Sequence, residues 1–178
     1  MLLNRLGIPF DCHSPEIDES AQQNEAPYDL VSRLAMQKAE IVGSAHPRAI
    51  IIGSDQVAVF NGRTIGKPSG WQAAFEQLKA FSGQTVEFLT AVSVLSLESG
   101  FRDQHTDRTQ VHFRHLQASE IERYLEKEKP FDCAGAFKAE SLGIVLFEQI
   151  SSRDPTALIG LPLIRTAAML RHAGLLLP

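Results

Sequence analysis

The stretch that most constrains this chain runs from Ile50 to Pro68, Ile-Ile-Ile-Gly-Ser-Asp-Gln-Val-Ala-Val-Phe-Asn-Gly-Arg-Thr-Ile-Gly-Lys-Pro. Three consecutive isoleucines read as a strand covered on both faces. The apolar run ends in a carboxylate, Asp55. Asn61-Gly62 follows, and a type I′ turn, which needs positive φ at both central positions, selects that dipeptide. Beyond the turn stands Gly66-Lys67-Pro68. Asp55 and Lys67 lie at nearly mirrored distances from the turn, so the expected hairpin is a strand ending in an acid beside one ending in a lysine.

The rest of the chain supplies helices and strands around that hairpin. Leu2, Leu3, Leu6 and Gly7 read as the tail of a helix whose apolar stripe is already running at residue 1. Residues 8–17 are expected to be extended and residues 18–27 a polar loop. Apolar positions at helical spacing predict a helix over 28–44. Lys38 lies on its apolar side, which suits either a lysine whose stem covers core while its amine reaches water or a cation aimed into a cleft. A second helix is expected over 69–82, with Ser69 and Gln72 as a capping box, Gly83 as its stop, and Trp71, Ala74, Phe75, Leu78 and Phe81 as a core stripe. Residues 85–97 and 109–116 read as an antiparallel pair, 119–128 as a helix boxed by Ser119 and Glu122, 144–147 as a short buried strand, and 163–172 as a last helix behind Pro162. The order implies an α/β (α+β) fold with a mixed sheet flanked by helices.

Composition narrows the function. At 178 residues with 44% hydrophobic content, the chain suits one domain, or two lobes around a cleft. A net charge of −4 argues against a nucleic-acid polymer as partner and leaves room for a small nucleotide in a local basic pocket. Cys12 and Cys133 form no paired motif, so a reducing, cytoplasmic setting is the default. No apolar run reaches the roughly 18 residues of a membrane span, and no membrane partner is expected. The opening seven residues are too short for a signal peptide. A homodimer is plausible, although no motif demands one. No phosphate-binding glycine loop, dinucleotide fingerprint or nucleophile elbow is found. Nothing local supports Cys133 as a nucleophile, and His112 and His115, three apart on a strand, face opposite ways and do not suggest a shared metal. What remains is a dispersed set of polar groups beside small residues: Glu19, Lys38, Asp55, Lys67, Lys138 and Glu140. Lysines neutralise phosphate oxygens, and carboxylates hold a divalent cation or orient water. That combination suits hydrolysis of a phosphate ester or anhydride.

Gly53-Ser54-Asp55-Gln56-Val57, Gly66-Lys67-Pro68, Phe81-Ser82-Gly83, Cys133-Ala-Gly-Ala-Phe-Lys-Ala-Glu140 and Arg153-Asp-Pro-Thr-Ala-Leu-Ile-Gly-Leu-Pro162 closely resemble the Maf family of nucleoside triphosphate pyrophosphatases. Gln56 and Glu140, at positions where the dTTP/UTP branch carries Thr and Gln, point to the YceF-like branch that acts on 7-methyl-GTP. The resemblance implies an elongated, inosine-triphosphatase-like mixed sheet with two lobes and a cleft. It also implies hydrolysis to the monophosphate and pyrophosphate with a divalent metal cofactor, Mg²⁺ or Mn²⁺. It implies Asp55 as catalytic proton acceptor, Glu19 with Asp55 as metal ligands, Lys38 and Lys67 as phosphate contacts, and Gln56 and Glu140 as readers of the base. Family members normally begin with a strand and a Ser-x-Ser-Pro-x-Arg-Arg loop before the point where this chain starts. The expectation is therefore a single domain over 1–178 that is N-terminally truncated, with a sheet edge or groove left open. The alternative function is a catalytically impaired nucleotide-binding protein with a regulatory role.

Overall fold

The computed structural model describes residues 2–177. Four α-helices flank a five-stranded antiparallel sheet of strand order β2-β1-β3-β4-β5. The strands are β1 (Ile50–Phe60), β2 (Arg63–Ile65), β3 (Thr85–Ser96), β4 (Phe101–Phe113) and β5 (Phe147–Ser151). The helices are α1 (Pro27–Ala45), α2 (Trp71–Phe81), α3 (Ala118–Glu128) and α4 (Leu163–His172). Helices and strands alternate as the α/β (α+β) expectation requires, and each strand runs antiparallel to its neighbours in the sheet. The chain divides into two compact units, Met1–Gln56 with Thr90–Asp107 and Asp154–Pro178, and Val57–Leu89 with Arg108–Arg153.

In the first unit, β1 is covered on both faces, as its isoleucines require. Ile51 packs with Ala39 of α1 and Leu95 of β3. Ile50 and Ile52 point the other way, onto Val92, Val94, Met169 and Leu170. Gly53 is the contact point with α1: a Cβ there would stand 2.2 Å from the Ala35 carbonyl oxygen, closer than any side chain can come. Only glycine lets α1 approach this strand. The helix starts at Pro27, which fits the first helical position because its missing N–H is not needed there. Leu2–Leu6 is a single 3₁₀ turn stopped by Gly7 at φ 67°; Met1 lies outside the described residues. Residues 8–17 have no regular structure. Residues 8–13 join Ile50, Ile52, Ser54 and Leu170 in lining a groove of about 720 Å³.

In the second unit, the Asn61-Gly62 turn has φ of 51° and 75°, and the pairing runs Ala58↔Ile65, Val59↔Thr64 and Phe60↔Arg63. The core is a chain of edge-to-face or tilted phenylalanines. Phe81, Phe137 and Phe147 surround Phe113 at 5.2–5.7 Å, and Phe88 meets Phe137 at 5.2 Å. α2 lies against α3.

Several local expectations need correction. Strand β1 continues to Phe60, so Asp55 sits mid-strand, not at its end. Strand β2 stops at Ile65, so Lys67 lies in the loop beyond it and is exposed. α2 has Gly70 as its N-cap, with no capping side chain from Ser69, and Trp71 is 39% exposed, stacked on Phe75 instead of buried. The box at α3 is made by Gln117 and Glu120, two residues before the Ser119/Glu122 pair. Residues 142–146 form a 3₁₀ turn with Ile144 and Val145 exposed, and the strand follows at Phe147.

Candidate active site

The first unit builds an ion cluster from three separate segments. Strand β1 supplies Asp55, on the face that carries Ile51 and Gly53 towards α1. The Gly53 contact brings α1 close enough for Lys38 to meet it: Lys38 Nζ donates to Asp55 Oδ1 at 2.7 Å. The same ammonium lies 2.6 Å from Glu19 Oε1, on the loop before α1. The side chain of Asp55 is 10% exposed, that of Lys38 21% and that of Glu19 55%, so the cluster opens to solvent on the Glu19 side. Burial works against the Lys38 charge, but its hydrogen bonds to Asp55 and Glu19 outweigh that and hold it above the ordinary lysine value. Lys38 is thus an ammonium at any neutral pH. Its contribution to stability is complete below the ordinary value of 10.5 and is lost only as pH rises past its raised folded value. The Lys38 ammonium therefore meets two carboxylates with its side chain only 21% exposed.

The Glu19 loop is itself anchored. Arg33 of α1 donates to both Glu25 carboxylate oxygens, at 2.6 and 2.8 Å, to Gln37 Oε1 at 3.0 Å and to the Ser20 carbonyl at 3.0 Å. This bidentate fork ties the loop bearing Glu19 to the helix bearing Lys38. The Arg33 hydrogen bonds, helped by the Gln22 backbone N–H, lower the Glu25 carboxyl from 4.5 to about 2. A depressed carboxyl stabilises the fold fully above its unfolded value, and that stabilisation is lost as pH falls through the folded one. We therefore expect amide protection factors in residues 19–25 to fall as pH falls from 4.5 towards 2. In Arg33→Leu they should be lowered already at pH 7. Unchanged protection in both experiments would contradict the anchoring.

Gln56 follows Asp55 and points to the opposite face. Its Nε2 lies 2.8 Å from Thr90 Oγ1, 3.0 Å from the Ala157 carbonyl and 3.2 Å from the Leu158 carbonyl. Its two amide hydrogens are therefore spent inside the first unit, which leaves only its carbonyl oxygen for any contact with a base.

The remaining candidates stand in the second unit. Lys67 is exposed after β2, where Gln77 of α2 holds the neighbouring Gly66 carbonyl at 3.1 Å. Glu140 is exposed on a turn fixed by Glu128, which accepts from Ser141 Oγ at 2.8 Å and from the Leu142 N–H at 3.0 Å. Gly143 closes that turn, because a Cβ there would lie 2.3 Å from the Lys138 carbonyl. Lys138 Nζ stands 3.5 Å from Asp132 Oδ1. Burial, with the hydrogen bond to Asp132, pushes the Cys133 thiol up to about 11. It stays protonated at neutral pH, and a protonated thiol is a poor nucleophile. His112 Nδ1 lies 2.8 Å from Thr85 Oγ1, and the His115 ring fills the space a side chain at Gly83 would need.

Asp55 and Glu19 converge on the Lys38 ammonium. Both are hard oxygen donors, and Mg²⁺ is commonly held by one or two such carboxylates with substrate phosphates completing its shell. Among the described residues no group of three or more His, Cys, Asp or Glu side chains is placed to hold a metal by itself.

The family model for Maf-like proteins matches residues 1–173. The chain belongs to the Maf family. Similar proteins include a 7-methyl-GTP pyrophosphatase of Xanthomonas oryzae pv. oryzae, 53% identical over 99% of this chain and 92% of the relative. One of Pseudomonas savastanoi pv. phaseolicola is 49% identical over 99% and 92%. One of Polaromonas sp. is 49% identical over 99% and 80%. In Maf terms, the resemblance seen around Asp55 extends along nearly the whole chain. No helix among the described residues is long and apolar enough to cross a membrane.

Proposed function

We propose that this Maf protein hydrolyses 7-methyl-GTP to 7-methyl-GMP and pyrophosphate. The observation that carries the reading is the Glu19–Lys38–Asp55 cluster: a carboxylate only 10% exposed, held in place by a lysine that remains charged. The names of the similar proteins support the substrate. Asp55 takes the proton of the attacking water as the anhydride between the α and β phosphates breaks and pyrophosphate leaves. Lys38 offsets phosphate charge when the triphosphate draws it away from Asp55, and the family resemblance assigns Lys67 to phosphate as well. Asp55 and Glu19 would hold Mg²⁺ or Mn²⁺, which when bound polarises a phosphoryl oxygen. Glu140 serves the base: a purine methylated at N7 is cationic, and a carboxylate offsets that charge and accepts its N–H donors. Cys12 and Cys133 lie far apart in the sequence and form no paired motif, which suits a reducing cytoplasm.

The test is a comparison of 7-methyl-GTP, GTP and dTTP. We expect kcat/KM to be highest for 7-methyl-GTP, and Glu140→Gln to narrow its lead over GTP by about threefold to fivefold, the order expected for one exposed ion pair. An unchanged preference in Glu140→Gln would remove Glu140 from base recognition, and a preference for dTTP would overturn the substrate.

A further inference from the structure

Side chains alternate along a strand, so the residues on either side of Asp55 point away from it. Both reach the same object. Ser54 Oγ lies 2.7 Å from the Ala91 carbonyl and 2.9 Å from the Gly160 carbonyl. Gln56 Nε2 reaches Thr90 Oγ1 and the carbonyls of Ala157 and Leu158. Thr90, fully buried on β3, adds its own hydrogen bond to the Ala157 carbonyl at 2.9 Å. Three side chains from two strands thus grip the 3₁₀ turn Ala157–Ile159 and the Gly160 that ends it at φ 106°.

The turn is rigid in its own right. Asp154, 3% exposed, accepts at Oδ1 from the Thr156 N–H (2.9 Å) and from the Thr156 hydroxyl (2.6 Å), and at Oδ2 from the Ile164 N–H in the first turn of α4 (2.7 Å). The Leu163 N–H donates to Thr156 Oγ1 at 2.9 Å. One carboxylate therefore satisfies the start of α4 and fixes the turn whose carbonyls hold β1.

We propose that residues 154–163 form a brace behind the catalytic strand, and that Gln56 and Thr90 are positioning residues that hold the Asp55 carboxylate in place from the opposite face. The proposal rests on the reading of Asp55 as the proton acceptor. It assigns the Gln56 amide to the brace, not to the base of the nucleotide. A base must be held within a fraction of an ångström of the water it activates, and small misplacements cost up to about a hundredfold in rate.

The test uses the full chain with Thr90→Val, Thr90→Ser, Gln56→Leu and Asp55→Asn, assayed on 7-methyl-GTP and GTP. Thr90→Val keeps the shape and removes the hydroxyl. It should lower kcat about tenfold with KM within twofold, and Thr90→Ser, which restores the hydroxyl, should recover most of the loss. Gln56→Leu should lower kcat at least as far, and Thr90→Val should leave the ratio of kcat/KM between the two nucleotides unchanged. Independently of turnover, amide exchange at 54–57 and 157–160 should rise together in Thr90→Val and Gln56→Leu, with exchange in α1 unaltered. Gln56→Leu carries the decision if Thr90→Val loses its cooperative melt. Parent kcat and parent exchange in these variants would overturn the brace, as would a Gln56→Leu enzyme with intact kcat and altered nucleotide preference. If Asp55→Asn turns over at the parent rate, the assignment of Asp55 fails, and the brace loses its purpose; if Asp55→Asn is inactive while Thr90→Val is normal, only the brace fails.

Discussion

Asp55→Asn is expected to lower kcat for 7-methyl-GTP by at least about a hundredfold while leaving the protein folded, since a positioned general base contributes that much or more. The two effects separate for a structural reason. The amide has the shape of the carboxylate, and its carbonyl oxygen can still accept the Lys38 hydrogen bond now made at 2.7 Å. Lys38 also keeps Glu19 at 2.6 Å, so its charge is not left alone. The chain should lose no more than about 1–2 kcal/mol, the worth of one charge-assisted hydrogen bond weakened to a neutral one. Thermal unfolding beside single-turnover kinetics checks both halves. A variant that is inactive because it has unfolded would make Asp55 a structural acid.

Lys38→Met should do the reverse, harming both activity and stability. Methionine fills the volume of the lysine stem but brings no charge. Asp55 and Glu19, which now converge on one ammonium, would face each other with nothing between them. Breaking a buried pair costs about 3–5 kcal/mol, and with Glu19 55% exposed the figure drops to about 1–3 kcal/mol. Activity should fall about a hundredfold, because the triphosphate loses a counter-charge and Asp55 its anchor. Added salt or Mg²⁺ should return part of the stability by screening the two carboxylates. A Lys38→Met protein as stable as the parent in low salt would show that the cluster is solvated too well to matter.

Much of this was legible in the residues. The isoleucines of β1, the Asn61-Gly62 turn, the long α1 stripe and the proline before α4 each follow from local physics, and each element is present. The first eight residues of β4, Phe-Arg-Asp-Gln-His-Thr-Asp-Arg, were not legible as strand, because nothing in their polarity asks for one. Their partners are tertiary: Arg102 pairs with Glu40, Asp103 with Arg165, and Thr106 with Ser32. The capping of α2 and α3 was misplaced because several polar residues compete at each start and only the chain's approach decides among them. In the candidate site, the sequence pointed to Lys38 and Asp55 but could not tell a snorkelling lysine from an ion cluster, since that depends on how closely Gly53 admits α1. The resemblance assigns Gln56 to the base, whereas strand alternation beside Asp55 turns its amide nitrogen to the opposite face, onto Thr90 and the Ala157 and Leu158 carbonyls. The Arg33–Glu25 anchor has no sequence signal: the seven residues between them span a loop end and a helix start, and no periodicity relates them.

The central claim is tested most directly by identifying the products of 7-methyl-GTP incubated with the chain and Mg²⁺, resolved by ion-exchange chromatography with pyrophosphate measured separately. The account predicts 7-methyl-GMP and pyrophosphate in equal amounts, and neither from the Asp55→Asn protein. Release of orthophosphate with 7-methyl-GDP, or equal turnover by parent and Asp55→Asn, would contradict it.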